Sequence, residues 1–390
     1  MGAATLKGQS PRILFTHVPR GSLESPHAPW NIYSIHTDGT QLRVLTTDDQ
    51  SRSPSWSPDG RHIIYIHYDG FQASPVDLYV MDSDGGNAHL FRRFDGVISS
   101  AVWSPDGKAL AIAHLTRARW KAESESHIEI MPDLFVLPSD GQGEPQLLAK
   151  QVVSFEWNPD GREFVLSRPM VGIPELAPAR PEIPSRSAIS VVDANPTSSS
   201  GQGEPVTLVA QAGGPVWSPD GRKLAFSFYL ESEARGGIGV ADADGSNQVQ
   251  LTGLHLDGNI LRILWGSDPV WSPNGRQIAF VARASVKDAA AREGESDQTQ
   301  LFVTNADGSG MRQLTTDPGG TQFLKPVWSP DGSEIALTCV YHEVHQPILH
   351  DGQYPVVWIP RIFILSMTGP KAKPVQLVED GTNPVFAPLP

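Results

Sequence analysis

Apolar residues recur along this chain in short runs with no helical periodicity. Runs such as His62 to His67, Ala109 to His114, Lys223 to Phe228 and Gln277 to Ala282 are rich in Ile, Phe, Ala and Tyr and have the length of buried strands. Each run follows the same turn. The unit Trp-Ser-Pro-Asp-Gly begins at Trp56, Trp103, Trp217 and Trp328, with near-copies at Trp157 (Trp-Asn-Pro-Asp-Gly) and Trp271 (Trp-Ser-Pro-Asn-Gly). Successive copies lie 47, 54, 60, 54 and 57 residues apart. In such a unit Pro presets the first corner, Asp or Asn bonds the backbone at the second, and Gly takes the positive φ that a side chain resists. The Trp ending the preceding strand is sized to fill the space between neighbouring sheets. These motifs therefore build structure and carry no chemistry.

Two further strands complete each unit. Third strands start in stretches such as Asn31 to Ile35, Asp77 to Met81, Gly237 to Val240 and Gln300 to Val303. They end in the hairpin signals Asp38-Gly39, Asp84-Gly85, Asp140-Gly141, Asp244-Gly245 and Asp307-Gly308. Fourth strands follow, as in Arg43 to Thr46, Gln250 to Thr252 and Gln313 to Thr315. Four antiparallel strands per repeat describe a propeller blade. The composition agrees, because 36 Gly and 34 Pro demand frequent turns.

Six Trp motifs do not account for the whole chain. Arg12 to His17 aligns with second strands, and Asn383 to Pro388 reads as a degraded first strand with Phe386 in place of Trp, 58 residues after Trp328. Pairing the two gives an all-β, seven-bladed β-propeller of four-stranded antiparallel blades, closed by the C-terminal strand, with no unpaired edge at the seam. Residues 1–10 are expected to be a flexible segment and 11–390 a single propeller.

The Trp-Ser-Pro-Asp-Gly unit, the Asp-Gly hairpins and the Leu-Thr strand ends resemble the TolB-type, WD40-like propeller repeat of many bacterial proteins. The resemblance spans nearly the whole chain and implies the fold; propellers host many unrelated activities. TolB resembles a six-bladed version with an additional N-terminal domain, and this chain differs on both counts.

With this strand order the motif turns and hairpins share one face, which is expected to be plain. The loops from second to third strands share the other, and they are long and irregular, as loops that bind usually are. Counting seven residues past each motif Gly places His67, His114 and Arg168 in one column, with His17 equivalent in the first blade. These residues are candidates for a polar ring that binds a partner or an anionic group. Blades stack about 10 Å apart, so one ion needing nitrogens at about 2.1 Å is shared only if the side chains converge on the axis. A basic, aromatic loop with Arg117, Arg119 and Trp120 suits an acidic partner. The last blade adds His342, His345 and His350 at a spacing unlike that of a zinc protease. Seven-bladed pectin lyases hold manganese through axial histidines, but no spacing here matches theirs. No metal site and no cofactor are assigned.

The net charge of −13 argues against a nucleic-acid partner, and no segment is long and apolar enough for membrane insertion. The single cysteine, Cys339, excludes an intrachain disulfide. The N-terminus lacks the apolar core of a secretory signal, which predicts a cytoplasmic protein if the sequence is full length and a periplasmic or extracellular one if a signal was removed. No Gly-x-Ser-x-Gly elbow is present for a peptidase. The reading is a non-enzymatic binding scaffold that engages a protein or peptide through the loop-rich face and channel mouth, with room for a small molecule in the channel. The alternative is a metal-assisted lyase or hydrolase at the same mouth.

Overall fold

The computed structural model describes residues 10–19, 29–68, 75–116, 131–169, 187–194, 205–230, 235–252, 261–286, 299–315, 321–344, 356–368 and 374–389. They form seven four-stranded antiparallel sheets. Blade 1 is composite: its first strand is Gly381–Phe386, followed by Arg12–His17, Asn31–His36 and Arg43–Val44. Ile13 pairs with Phe386 and Leu14 with Val385, so the predicted closure is the observed one. Blades 2 to 7 follow in chain order, with first strands Ser51–Trp56, Gly96–Trp103, Ser154–Trp157, Ala212–Trp217, Leu261–Trp271 and Gln322–Trp328. Residues 1–9 of the expected flexible segment lie outside the described residues.

The turn chemistry read from the motif is present atom by atom. In five blades the motif Ser hydroxyl donates to the Asp or Asn side chain two residues on, at 2.6 to 2.8 Å. The same hydroxyl oxygen accepts the first N–H of the second strand at 2.9 Å. Ser hydroxyls and backbone N–H groups hold the Asp59, Asp106 and Asp220 carboxyls below their usual range. At the outer edge, Thr46, Thr252 and Thr315 cap third strands by accepting the N–H of Ile32, Ile238 and Leu301.

The core is divided among the blade junctions. Seven apolar clusters each join two neighbouring blades. Strand alternation assigns the residues: Ile64 and Ile66 face blade 3, while Ile63 and Tyr65 face blade 1. A second strand is therefore apolar on both sides and reads as a continuous run. The Trp rings sit in these layers, and the Trp271 and Trp328 indoles donate to the Val216 and Val270 carbonyls of the preceding blade. At six of the seven junctions first strands touch first strands, so these strands surround the axis.

Candidate functional site in the central channel

The inner strands carry an edge that no fifth strand covers, and its backbone groups face the axis. Five of them handle the exposed edge alike. Pro54, Pro215, Pro269, Pro326 and Pro384 stand two residues before the aromatic and remove one unpaired donor. The residue before each Pro takes positive φ: Ser53 at 53°, Gly214 at 56°, Asp268 at 50°, Lys325 at 49° and Asn383 at 53°. Each pair forms a bulge against the second strand. Blades 3 and 4, with Ala101 and Phe155 in place of Pro, lack the positive φ.

The result is two repeated positions on the inner strands, the second of which packs its valines against the apolar layers between blades. Three positions before the aromatic, every blade is polar or glycine: Ser53, Ser100, Ser154, Gly214, Asp268, Lys325 and Asn383. Gly214, Asp268 and Lys325 are exposed, and the other four are half-buried. One position before the aromatic stand Val102, Val216, Val270, Val327 and Val385, with Ser55 and Glu156, all half-buried. A polar girdle is thus followed, toward the motif-turn face, by an apolar collar containing one acid.

The girdle is bonded across blades. The Asp268 carboxylate accepts the Lys325 backbone N–H, the Lys325 ammonium donates to Asn383 Oδ1 at 3.0 Å, and the Asn383 N–H donates to Thr338. Solvent reaches Asp268, yet burial is the largest influence on its carboxyl and raises its pKa. Asp268 thus keeps an accessible surface while protein surrounds its carboxyl. Glu156 is enclosed in the same way. Burial pushes its carboxyl up to about 8, opposed by the Trp217 N–H that its Oε2 accepts at 2.6 Å.

The column of basic residues occupies the loop-face ends of second strands, and each member is engaged by its own blade or by the connector entering it, His114 also by Phe94 of the preceding blade. His17 stacks on Tyr33 with ring centroids 4.7 Å apart, and burial lowers its pKa against the pull of Asp380. His67 lies 3.7 Å from the Asp48 carboxylate and packs against Tyr79. His114 sits between Phe94 and Phe135, and its Nε2 donates to the Asp95 carbonyl at 2.9 Å. Burial lowers its pKa too. Arg168 donates to the Lys150 carbonyl at 3.0 Å. In every case a partner lies on the connector entering the same blade, so the four act as clasps on their own strands. Arg117, Arg119, Trp120, His345 and His350 lie outside the described residues. His342 is described by its backbone, which pairs with Trp358. Among the described residues no group of three His, Cys, Asp or Glu is placed to hold a metal ion.

The motif-turn face is less plain than expected. A groove of about 810 Å³ crosses the junction of blades 2 and 3 between Asp59, His62, His89, Phe91, Trp103 and Asp140. Another of about 430 Å³ crosses the junction of blades 3 and 4 beside Trp157 and Glu163.

Fold and channel together define a class, the seven-bladed propeller with a polar passage lined by bulged inner strands. Within that class the chain is a propeller of TolB-like repeats. It is 26% identical over 341 residues to the uncharacterized protein Atu1656 of Agrobacterium fabrum, covering 83% of this chain and 96% of that one. It is 23% identical over 305 residues to the Tol-Pal system protein TolB of Francisella tularensis, covering 75% of this chain. The match spans 58% of TolB's own length. Among solved structures it resembles an oligogalacturonate lyase in complex with manganese, with a TM-score of 0.54 at 15% identity over 98% of this chain and 99% of that one, a likeness of fold alone. No family model matches the chain. No helix among the described residues is long and apolar enough to cross a membrane.

Proposed function

We propose that this protein is a non-enzymatic binding scaffold that receives a protein or peptide partner at the loop-face mouth of its channel. The observation that carries the reading is the girdle, where charged and amide side chains are held on a rigid ring and left open to solvent. The irregular loops with Arg117, Arg119 and Trp120, and the last-blade loop with His342, His345 and His350, would supply the outer contacts. The column of His17, His67, His114 and Arg168 would hold the strand ends from which those loops spring. Similarity to a Tol-Pal system protein supports a protein partner and the periplasmic alternative of the two compartments. The metal-assisted alternative draws on the last-blade loop with His342, Glu343, His345, His350 and Asp351, of which residues 345–355 lie outside the described residues.

The test is a pull-down from native lysate with the full chain and with a variant whose 117–121 and 169–185 loops are trimmed. The intact protein should retain a partner that the trimmed protein loses. An unchanged set of captured proteins would overturn the reading.

A further inference from the structure

We propose that the girdle recognises the free C-terminal carboxylate of an extended peptide, with Lys325 and Asn383 as donors and Asp268 as acceptor for a peptide N–H. The inference rests on the scaffold reading above and names the part of the partner that enters the channel.

The donors are concentrated on one arc. The Lys325 ammonium spends one of its three N–H bonds on the neutral Asn383 Oδ1. That bond turns the Asn383 amide so that its NH₂ end remains as a donor. Ser53, the girdle residue of the next blade, adds a hydroxyl. Among the described residues no carboxylate lies within salt-bridge distance of Lys325. A cluster of donors facing water, with an ammonium among them, takes an anionic acceptor.

The neighbouring blades narrow the choice of anion. Asp268 adjoins Lys325 and offers acceptor oxygens, while Gly214 beyond it projects no side chain. A Cβ built on Gly214 would meet nothing nearer than the Ser227 hydroxyl at 3.9 Å, so this position of the girdle is open. Donors beside an acceptor complement a group that carries both a negative charge and an N–H. A peptide C-terminus has both, whereas phosphate or acetate lacks the N–H.

The collar sets the depth. Two residues further along the same strands stand Val216, Val270, Val327 and Val385. Val216, Val270, Val327 and Val385 pack against the apolar layers between blades and offer a carboxylate no donor, so on this arc the donors end at the girdle. A chain end entering from the loop face is therefore held at Lys325. The positive φ at Lys325 belongs to the x-Pro bulge shared with Ser53, Gly214, Asp268 and Asn383.

The experiment uses the full chain and two fluorescein-labelled random hexapeptide pools, one ending in free carboxylates and one in amides, read by fluorescence anisotropy at pH 7. The carboxylate pool should bind about ten-fold more tightly, with the ratio falling below about two-fold in Lys325→Gln and surviving in Lys325→Arg. Thermal melts establish that the variants are folded. Equal binding of the two pools, or a preference that persists in folded Lys325→Gln, overturns the inference. Acetate and inorganic phosphate serve as free-anion competitors. If either displaces the peptide acids at matched concentration, and Asp268→Asn changes nothing, the site takes free anions and the peptide assignment falls. Equal pools combined with a lysate partner lost on loop trimming would sink this inference and leave the scaffold reading intact. A carboxylate preference combined with an unchanged lysate set would overturn the loop-face scaffold reading and leave the carboxylate site standing.

Discussion

Glu156 occupies a collar position that is valine in five other blades, and its carboxyl has only the Trp217 N–H as a described partner. Burial disfavours the carboxylate, so its pKa rises to about 8 from 4.5. The folded state thus binds this proton more tightly than the unfolded chain does. Its contribution to stability is complete below about pH 4.5 and is lost as pH rises through about 8. Glu156→Gln keeps an acceptor for the Trp217 N–H and cannot ionise. Its unfolding free energy in urea should match the parent near pH 4.5 and exceed it at pH 9, by on the order of 5 kcal/mol. An equal gap at both pH values would show that the carboxyl does not titrate in this way. The column histidines teach a related lesson, because counting residues placed them in register while neighbouring connectors and aromatics decided what they touch.

At the scale of the element, each of the four strands follows from a recognisable local rule. Second strands read as apolar runs because both of their faces are buried, and third strands end at Asp-Gly hairpins whose glycines have positive φ. The inner strand is the informative exception. Its x-Pro-Val-Trp pattern, as in Asp268-Pro269-Val270-Trp271 and Lys325-Pro326-Val327-Trp328, was visible in the sequence and signals both the bulge and the girdle residue. A search for chemistry among His and Arg passes over it. In blade 5 the third strand contains Gly237, where a Cβ would stand 1.8 Å from the Thr252 hydroxyl oxygen that accepts the Ile238 N–H. Gly237→Ala should force that hydroxyl away and cost about 1–3 kcal/mol in urea denaturation. A change within error would mean that the Thr252 cap is dispensable.

At the scale of the whole molecule, stability depends on closing the ring. Phe386 is 8% exposed and packs with Ile13, Phe15 and Ile362 at the junction of blades 7 and 1. Phe386→Ala should cost about 3 kcal/mol, as truncation of a buried aromatic does. A chain ending at Glu379 lacks the inner strand of blade 1 and leaves Arg12–His17 with an open edge. It should lose its cooperative thermal transition and become sensitive to protease. Cooperative melting of that truncated chain would show that the C-terminal strand is an accessory. On the motif-turn face the turns bond tightly to their own strands.

The sequence by itself determined the blade, the number of blades and the closure. Those features rest on local turn chemistry and strand alternation, repeated often enough to be counted, and on the one aromatic, Phe386, that keeps register without the motif. Tertiary structure decided where polar groups meet. Asp268, Lys325 and Asn383 are more than fifty residues apart in sequence and become neighbours because successive inner strands share one axis. The environment of Glu156 is likewise made by a strand sixty residues later. A repeat fixes what each unit looks like, while the ring of units creates the passage and sets which of its odd residues meet.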